Sequence, residues 1–165
     1  MSLVAGGMIA AGVAALVAGL IFVRPRFHAA EGADKIIVLG PVLEAVALAI
    51  FAAEHFLGTR DLMLVVPRWI PEPLFWTYFV GACLAAAAIS LIAWRYVHWS
   101  ATLLALMFVI IVATIDLPQL SKLAHQRFFW ILTVRELAFA SGALVLAGSE
   151  WRKRGRAAGT LPEPY

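Results

Sequence analysis

One cysteine, Cys83, stands in the whole chain, and charged residues make up only 14 % of it. A lone cysteine cannot form an intrachain disulfide, a Cys-x-x-Cys redox pair or a cysteine zinc site. The paired-cysteine chemistry of some small membrane reductases is thereby excluded. The shortage of charge excludes a soluble domain of 165 residues, which would need far more polar surface to stay dispersed. Also missing are a Gly-rich phosphate loop, a GxGxxG fingerprint, a Ser-His-Asp spacing and a His-rich metal signature. The sequence therefore nominates no catalytic residue and no metal ligand. Paired-histidine haem ligation is poorly served as well: His55 and His125 are expected on one side, but His125 falls in a loop, and His28 and His98 lie on the other.

What is present is apolarity. Hydrophobic residues make up 63 % of the chain, and the mean hydropathy is +0.90. A bilayer core of about 30 Å needs roughly 20 consecutive apolar residues per helical span. Five runs approach that length: Leu3–Val23, Ile36–Leu57, Leu74–Trp94, Trp99–Leu117 and Phe128–Gly148. The expected fold is an all-α polytopic membrane bundle, a single transmembrane domain over residues 1–165 with short loops. Residues 1–23 contain no Lys or Arg, so the first run reads as a retained helix rather than a secretory signal, whose charge precedes its apolar core. Arg24, Arg26, Lys35, Arg95, Arg152, Lys153, Arg154 and Arg156 share one side; Arg60, Arg68, Lys122 and Arg127 share the other. Positive residues favour the cytoplasm, which places the C-terminus inside a cell's inner (plasma) membrane and the N-terminus outside. The "WRKRGR" run after the last span reads as a stop-transfer and phospholipid anchor rather than a nucleic-acid contact.

Gly7, Ala11, Ala15 and Gly19, spaced by four, give the first helix a small-residue stripe for close helix contact, and "AAAA" at 85–88 does the same for the third span. Between the second and third spans, Pro67, Pro71 and Pro73 forbid a continuous helix, although the segment is strongly apolar. Its Pro67, Trp69 and Pro71 are expected either to anchor the loop at the membrane surface or to fold it over the bundle as a lid. Tryptophans near the span ends fit aromatic belts.

Ionisable groups inside a membrane cost at least ~2.5–3.5 kcal/mol each at its centre, so they usually face the bundle and pair. Six are candidates here: Glu44, Glu54, His55, Asp116, Arg135 and Glu136. Glu44 and His55 are eleven residues apart, which leaves them about 20° from alignment and roughly 16 Å apart along one helix face. Glu54, His55, Asp116, Arg135 and Glu136 fall at similar depth in the outer half of the bilayer. Arg135 is the natural centre of such a layer, because a guanidinium keeps its charge and requires carboxylate partners. The layer is read either as a charge network that locks the helices or as the wall of a polar pocket for a quinone-like or other amphipathic molecule. In the second reading His55 would relay a proton or donate to a carbonyl.

"AEHF" closing a helix, "VPRWIP", "FWTYFVGACLAAAAISL", a helix ending "DLP" and a final "RELAFASGALVLAG" together resemble the DoxX-like membrane proteins over roughly residues 36–150. The resemblance implies four core helices, with Leu3–Val23 as an extra N-terminal span. It also implies association with membrane oxidoreductase subunits, since the family includes a small subunit of an archaeal thiosulfate:quinone oxidoreductase. Asp116 stands where the family pattern has a histidine before Leu-Pro. The expected function is an accessory component of a quinone-linked redox or envelope stress system, with quinone as the candidate cofactor. The alternatives are a small proton-coupled transporter, in which Glu44 lines the path, and a purely structural membrane subunit.

Overall fold

The computed structural model describes residues 2–160, and among them all regular structure is helical. Five stretches are long and apolar enough to cross a membrane: Leu3–Ala29, Asp34–Leu57, Pro73–Ala93, Val97–Leu123 and Arg127–Arg156. In lipid a helix satisfies its own backbone hydrogen bonds, which is why apolar runs of this length take no other form. The chain is an all-helical membrane protein. Its helices form two compact units, one ending at Arg95 and one beginning at Tyr96.

The first unit holds α1 (Leu3–Ala29), α2 (Asp34–Ile37), α3 (Gly40–Leu57), α4 (Thr59–Leu62) and α5 (Pro73–Ala93). Both α1 and α5 pack along α3. Ser2 caps α1 by accepting a hydrogen bond from the Ala5 amide at 3.2 Å. The small-residue stripe meets α3 as expected, in a slightly rotated register: Gly12, Ala15 and Gly19 are buried, and Ala11 only partly. A Cβ at Gly19 would come within 2.5 Å of Val42 Cγ1, and one at Gly12 within 2.8 Å of Ile50 Cγ1. Lipid tails offer no hydrophobic driving force between helices, so this close van der Waals packing is what holds α1 to α3. On α5, Ala87 and Ala88 of the alanine run are buried.

Helix α1 continues through Pro25 to Ala29, beyond the expected end at Val23. Its Arg26 guanidinium lies 4.5 Å from the centre of the Trp94 ring. Trp94 ends α5 in the left-handed region, at φ 53°, a conformation costing a non-glycine residue about 1–2 kcal/mol. A partly desolvated cation–π contact of about 0.5–2 kcal/mol offsets much of that cost. The segment between α4 and α5 forms turns, and the Trp69 side chain is 65 % exposed. Pro71 is also exposed and Pro67 half-buried.

The second unit is a helical hairpin. Its first arm joins α6 (Val97–Ile111), a π-helical turn (Val112–Asp116) and α7 (Leu117–Leu123); its second arm is α8 (Arg127–Ala157). The Trp130 indole N–H donates to the Ala124 carbonyl at 2.9 Å and closes the connection. Along α8 the buried positions Thr133, Glu136, Ala140, Ala143 and Ala147 repeat with spacings of three and four, the pattern of a two-helix seam. The small alanines let α6 approach closely, and Phe108 stacks on Phe139 with ring centres 5.8 Å apart. Helix α8 absorbs the basic "WRKRGR" run instead of stopping before it, and Lys153 pairs with Glu150 at 2.6 Å. Lysine and arginine are good helix formers, and cations suit a helix C-terminus.

Candidate functional site

The polar centre of the second unit depends on a local irregularity. Proline lacks the N–H of an α-helical turn, and its ring clashes with the carbonyl four residues earlier. For Pro118 that carbonyl belongs to Thr114. The helix responds by widening rather than ending: the Leu117 N–H bonds to the Val112 carbonyl, five residues back, which makes the turn π-helical. The expected end of the fourth span at Leu117 is thus displaced to Leu123. Asp116 becomes an interior residue of a spanning helix, and it continues the buried stripe of Ala101, Leu104, Ala105, Phe108 and Val112. π-Helical turns occur frequently at functional sites.

Asp116 is 4 % exposed and Glu136 9 %. Their carboxyl groups approach within reach of a mutual hydrogen bond, and the charge of Arg135 acts on both. Arg135 Nη2 lies 3.4 Å from Glu136 Oε1, a long contact between sequence neighbours. The arginine side chain is 36 % exposed against 12 % for the glutamate. The two acids therefore occupy the middle of the site and Arg135 its margin, the reverse of the order read from charge alone. The reason lies in the α8 seam, whose spacing turns position 136 inward and position 135 aside. Asp116 Oδ2 and Glu136 Oε2 are buried with no hydrogen-bond partner. In a low-dielectric interior such orphaned acceptors are costly, and they call for a donor.

Glu44, Glu54 and His55 belong to α3 in the first unit. His55 Nδ1–H donates to the Phe51 carbonyl at 2.7 Å, which fixes the orientation of the ring. Gly81 on α5 packs directly against it: a Cβ there would meet His55 Cβ at 2.8 Å. The Thr59 hydroxyl, just past the end of α3, donates to the His55 carbonyl at 2.6 Å. Glu54 is half-buried, as is Glu44, whose Oε1 is buried without a hydrogen-bond partner. The structure thus brings Asp116, Arg135 and Glu136 together, and seats His55 in a fixed orientation on α3 with Glu44 roughly three turns away along the same helix.

His98 is a residue that loop assignment passed over. It lies in the first turn of α6, is 8 % exposed, and sits between Trp99 and Trp151 with ring centres at 5.3 and 5.1 Å. The only signal for it was the tryptophan beside it. Among the described residues no group of three or more His, Cys, Asp or Glu could hold a metal ion.

A family model described as a domain of unknown function, DUF8561, matches residues 44–127, just over half of the chain. The chain belongs to the DUF8561 family. The match begins at Glu44, takes in Glu54, His55 and Asp116 with the π-helical turn, and ends before Arg135 and Glu136. No curated protein and no solved structure gives a significant match.

Proposed function

We propose that this DUF8561 protein is an accessory membrane subunit of a quinone-linked redox or envelope stress system, similar to the DoxX-like proteins. In this reading it docks an amphipathic molecule of the quinone class at Asp116, Arg135 and Glu136. The observation that carries the reading is the pair of orphaned carboxyl oxygens inside a spanning hairpin. A dihydroxylated ring would donate to them, and the Arg135 guanidinium would donate to a ring carbonyl. An isoprenoid tail would be at home among the exposed apolar side chains of α8, which include Ile131 and Val134. The protein sits in the cell's inner membrane with its N-terminus outside and its C-terminus cytoplasmic, as the distribution of Lys and Arg favours.

The test is binding of a fluorescent quinone analogue to the purified protein. Arg135→Gln and Asp116→Asn are each expected to weaken binding about tenfold, the equivalent of ~1.4 kcal/mol, with circular dichroism unchanged. Unaltered affinity in both variants, or no binding to the wild type, sinks the reading. A second reading, proton-coupled transport, is favoured by the buried Oε1 of Glu44. It predicts gradient-driven uptake into proteoliposomes that Glu44→Gln abolishes.

A further inference from the structure

Formally, Asp116, Glu136 and Arg135 sum to one negative charge in a setting that is more than nine-tenths buried at both acids. An uncompensated buried charge costs several kcal/mol, so such a site recruits a counter-charge. Other groups in the second unit are badly placed to supply it. Lys122 on α7, His125 and Arg127 are exposed. His98 starts α6, roughly 27 Å away along the helix. The Thr133 hydroxyl, one turn before Glu136, is committed to the Phe129 carbonyl at 2.9 Å. A hard metal cation would want six or more oxygens and no guanidinium beside it, whereas two carboxyl groups facing each other are the natural holder of a proton. When one is protonated, its O–H donates to the other; two ionised carboxylates can only accept.

We infer that Asp116 and Glu136 together hold one exchangeable proton, shared between their facing carboxyl groups, while Arg135 balances the remaining negative charge. The pair is then a proton-storage site at a π-helical turn inside the membrane. Protonation closes the hydrogen bond between α8 and the turn. Loss of the proton leaves two like charges facing across the hairpin, so proton occupancy is coupled to the fit of these two elements. The inference concerns the site of the proposed function and takes from that reading only the use of the proton, as a donor to a bound ring oxygen.

The experiment is infrared spectroscopy of the lipid-reconstituted protein at neutral pH in sodium buffer, with no quinone added. A Glu44→Gln background removes the one further carboxyl, among the described residues, that has a buried oxygen without a partner. The expected result is a protonated-carboxyl stretching band that shifts in heavy water. Asp116→Asn and Glu136→Gln should each abolish it, because the one carboxylate left is balanced by Arg135. Arg135→Gln should raise it about two-fold, since both acids then need protons to be neutral. A missing band in the background protein overturns the inference without reference to any variant. So does a band that survives both acid substitutions, or one that Arg135→Gln leaves unchanged. Absence of the band with quinone binding intact overturns the shared proton alone; absence of binding with the band intact overturns the proposed function alone.

Discussion

At the scale of single residues, Gly81 is the close contact that seats His55. Its missing Cβ is what lets α5 rest against His55 Cβ and the Phe56 ring, which a Cβ would meet at 2.8 and 3.4 Å. Gly81→Val should force the helices apart and cost about 1–3 kcal/mol, as overpacking does. It should appear as a lower melting temperature in detergent and, through the displaced imidazole, as altered His55 chemistry. Gly148 is the matched control, because nothing lies within 4 Å of a Cβ placed there. Gly148→Ala should leave the melting temperature unchanged or raise it, since alanine is the better helix former by about 1 kcal/mol. The candidate residues were legible at this scale because ionisable side chains are rare inside spans. Which of them face inward was not: Arg135 and Glu136 are adjacent in sequence, and only the partner helix decides which of the two is enclosed.

Among the elements, the π-helical turn and the α1–α3 contact make separate predictions. A π-helical turn amounts to one residue inserted into an α-helix, so deleting Ala113 should restore regular α geometry. Asp116 would then follow Val112 by three residues, a spacing that keeps both on one helix face, and only the widened backbone would be lost. Helix packing should survive while the Asp116 carboxyl is drawn about one residue along the axis from Glu136, so the protonated-carboxyl band should shift or fall at a nearly unchanged melting temperature. A deletion mutant with both intact would show that the turn is dispensable. On the other face of the molecule's chemistry, Gly19→Leu drives a side chain into Val42, whose β-branched Cβ has little rotamer freedom to yield. It should destabilise the first unit by about 1–3 kcal/mol while leaving the infrared signature of Asp116 and Glu136 in place. The small-residue stripe that carries this contact could be read directly from spacing. The π turn could not, because "DLP" in isolation signals a helix end as readily as a widened turn.

For the whole molecule, the proposed topology has five crossings, one for each helix long and apolar enough to span, and so has the two termini on opposite sides of the membrane. Alkaline carbonate washing should leave the protein in the membrane fraction, and only detergent should release it. A fluorescent protein fused after the last helix should fold and glow in the cytoplasm, and a periplasm-dependent phosphatase at the same place should be silent. The opposite pattern would invert the proposed topology. The charges behind this prediction are the cluster Arg152, Lys153, Arg154 and Arg156 on the last turns of α8.

Composition and hydropathy alone determined that this is a five-span helical membrane protein, because lipid permits no other form to an apolar run of about 20 residues. Spacing alone also placed small residues on the packed face of α1 and singled out the six ionisable groups within the spans. Tertiary structure decided what the boundaries and the pairings are. It carried α1, the fourth span and α8 beyond their expected ends, turned Glu136 rather than Arg135 toward Asp116, and left a carboxyl oxygen on each acid without a partner. Hydropathy is a property of one segment in lipid. The inward face of a helix and the satisfaction of a buried carboxyl are properties of two segments in contact, and they come into being only when the hairpin closes.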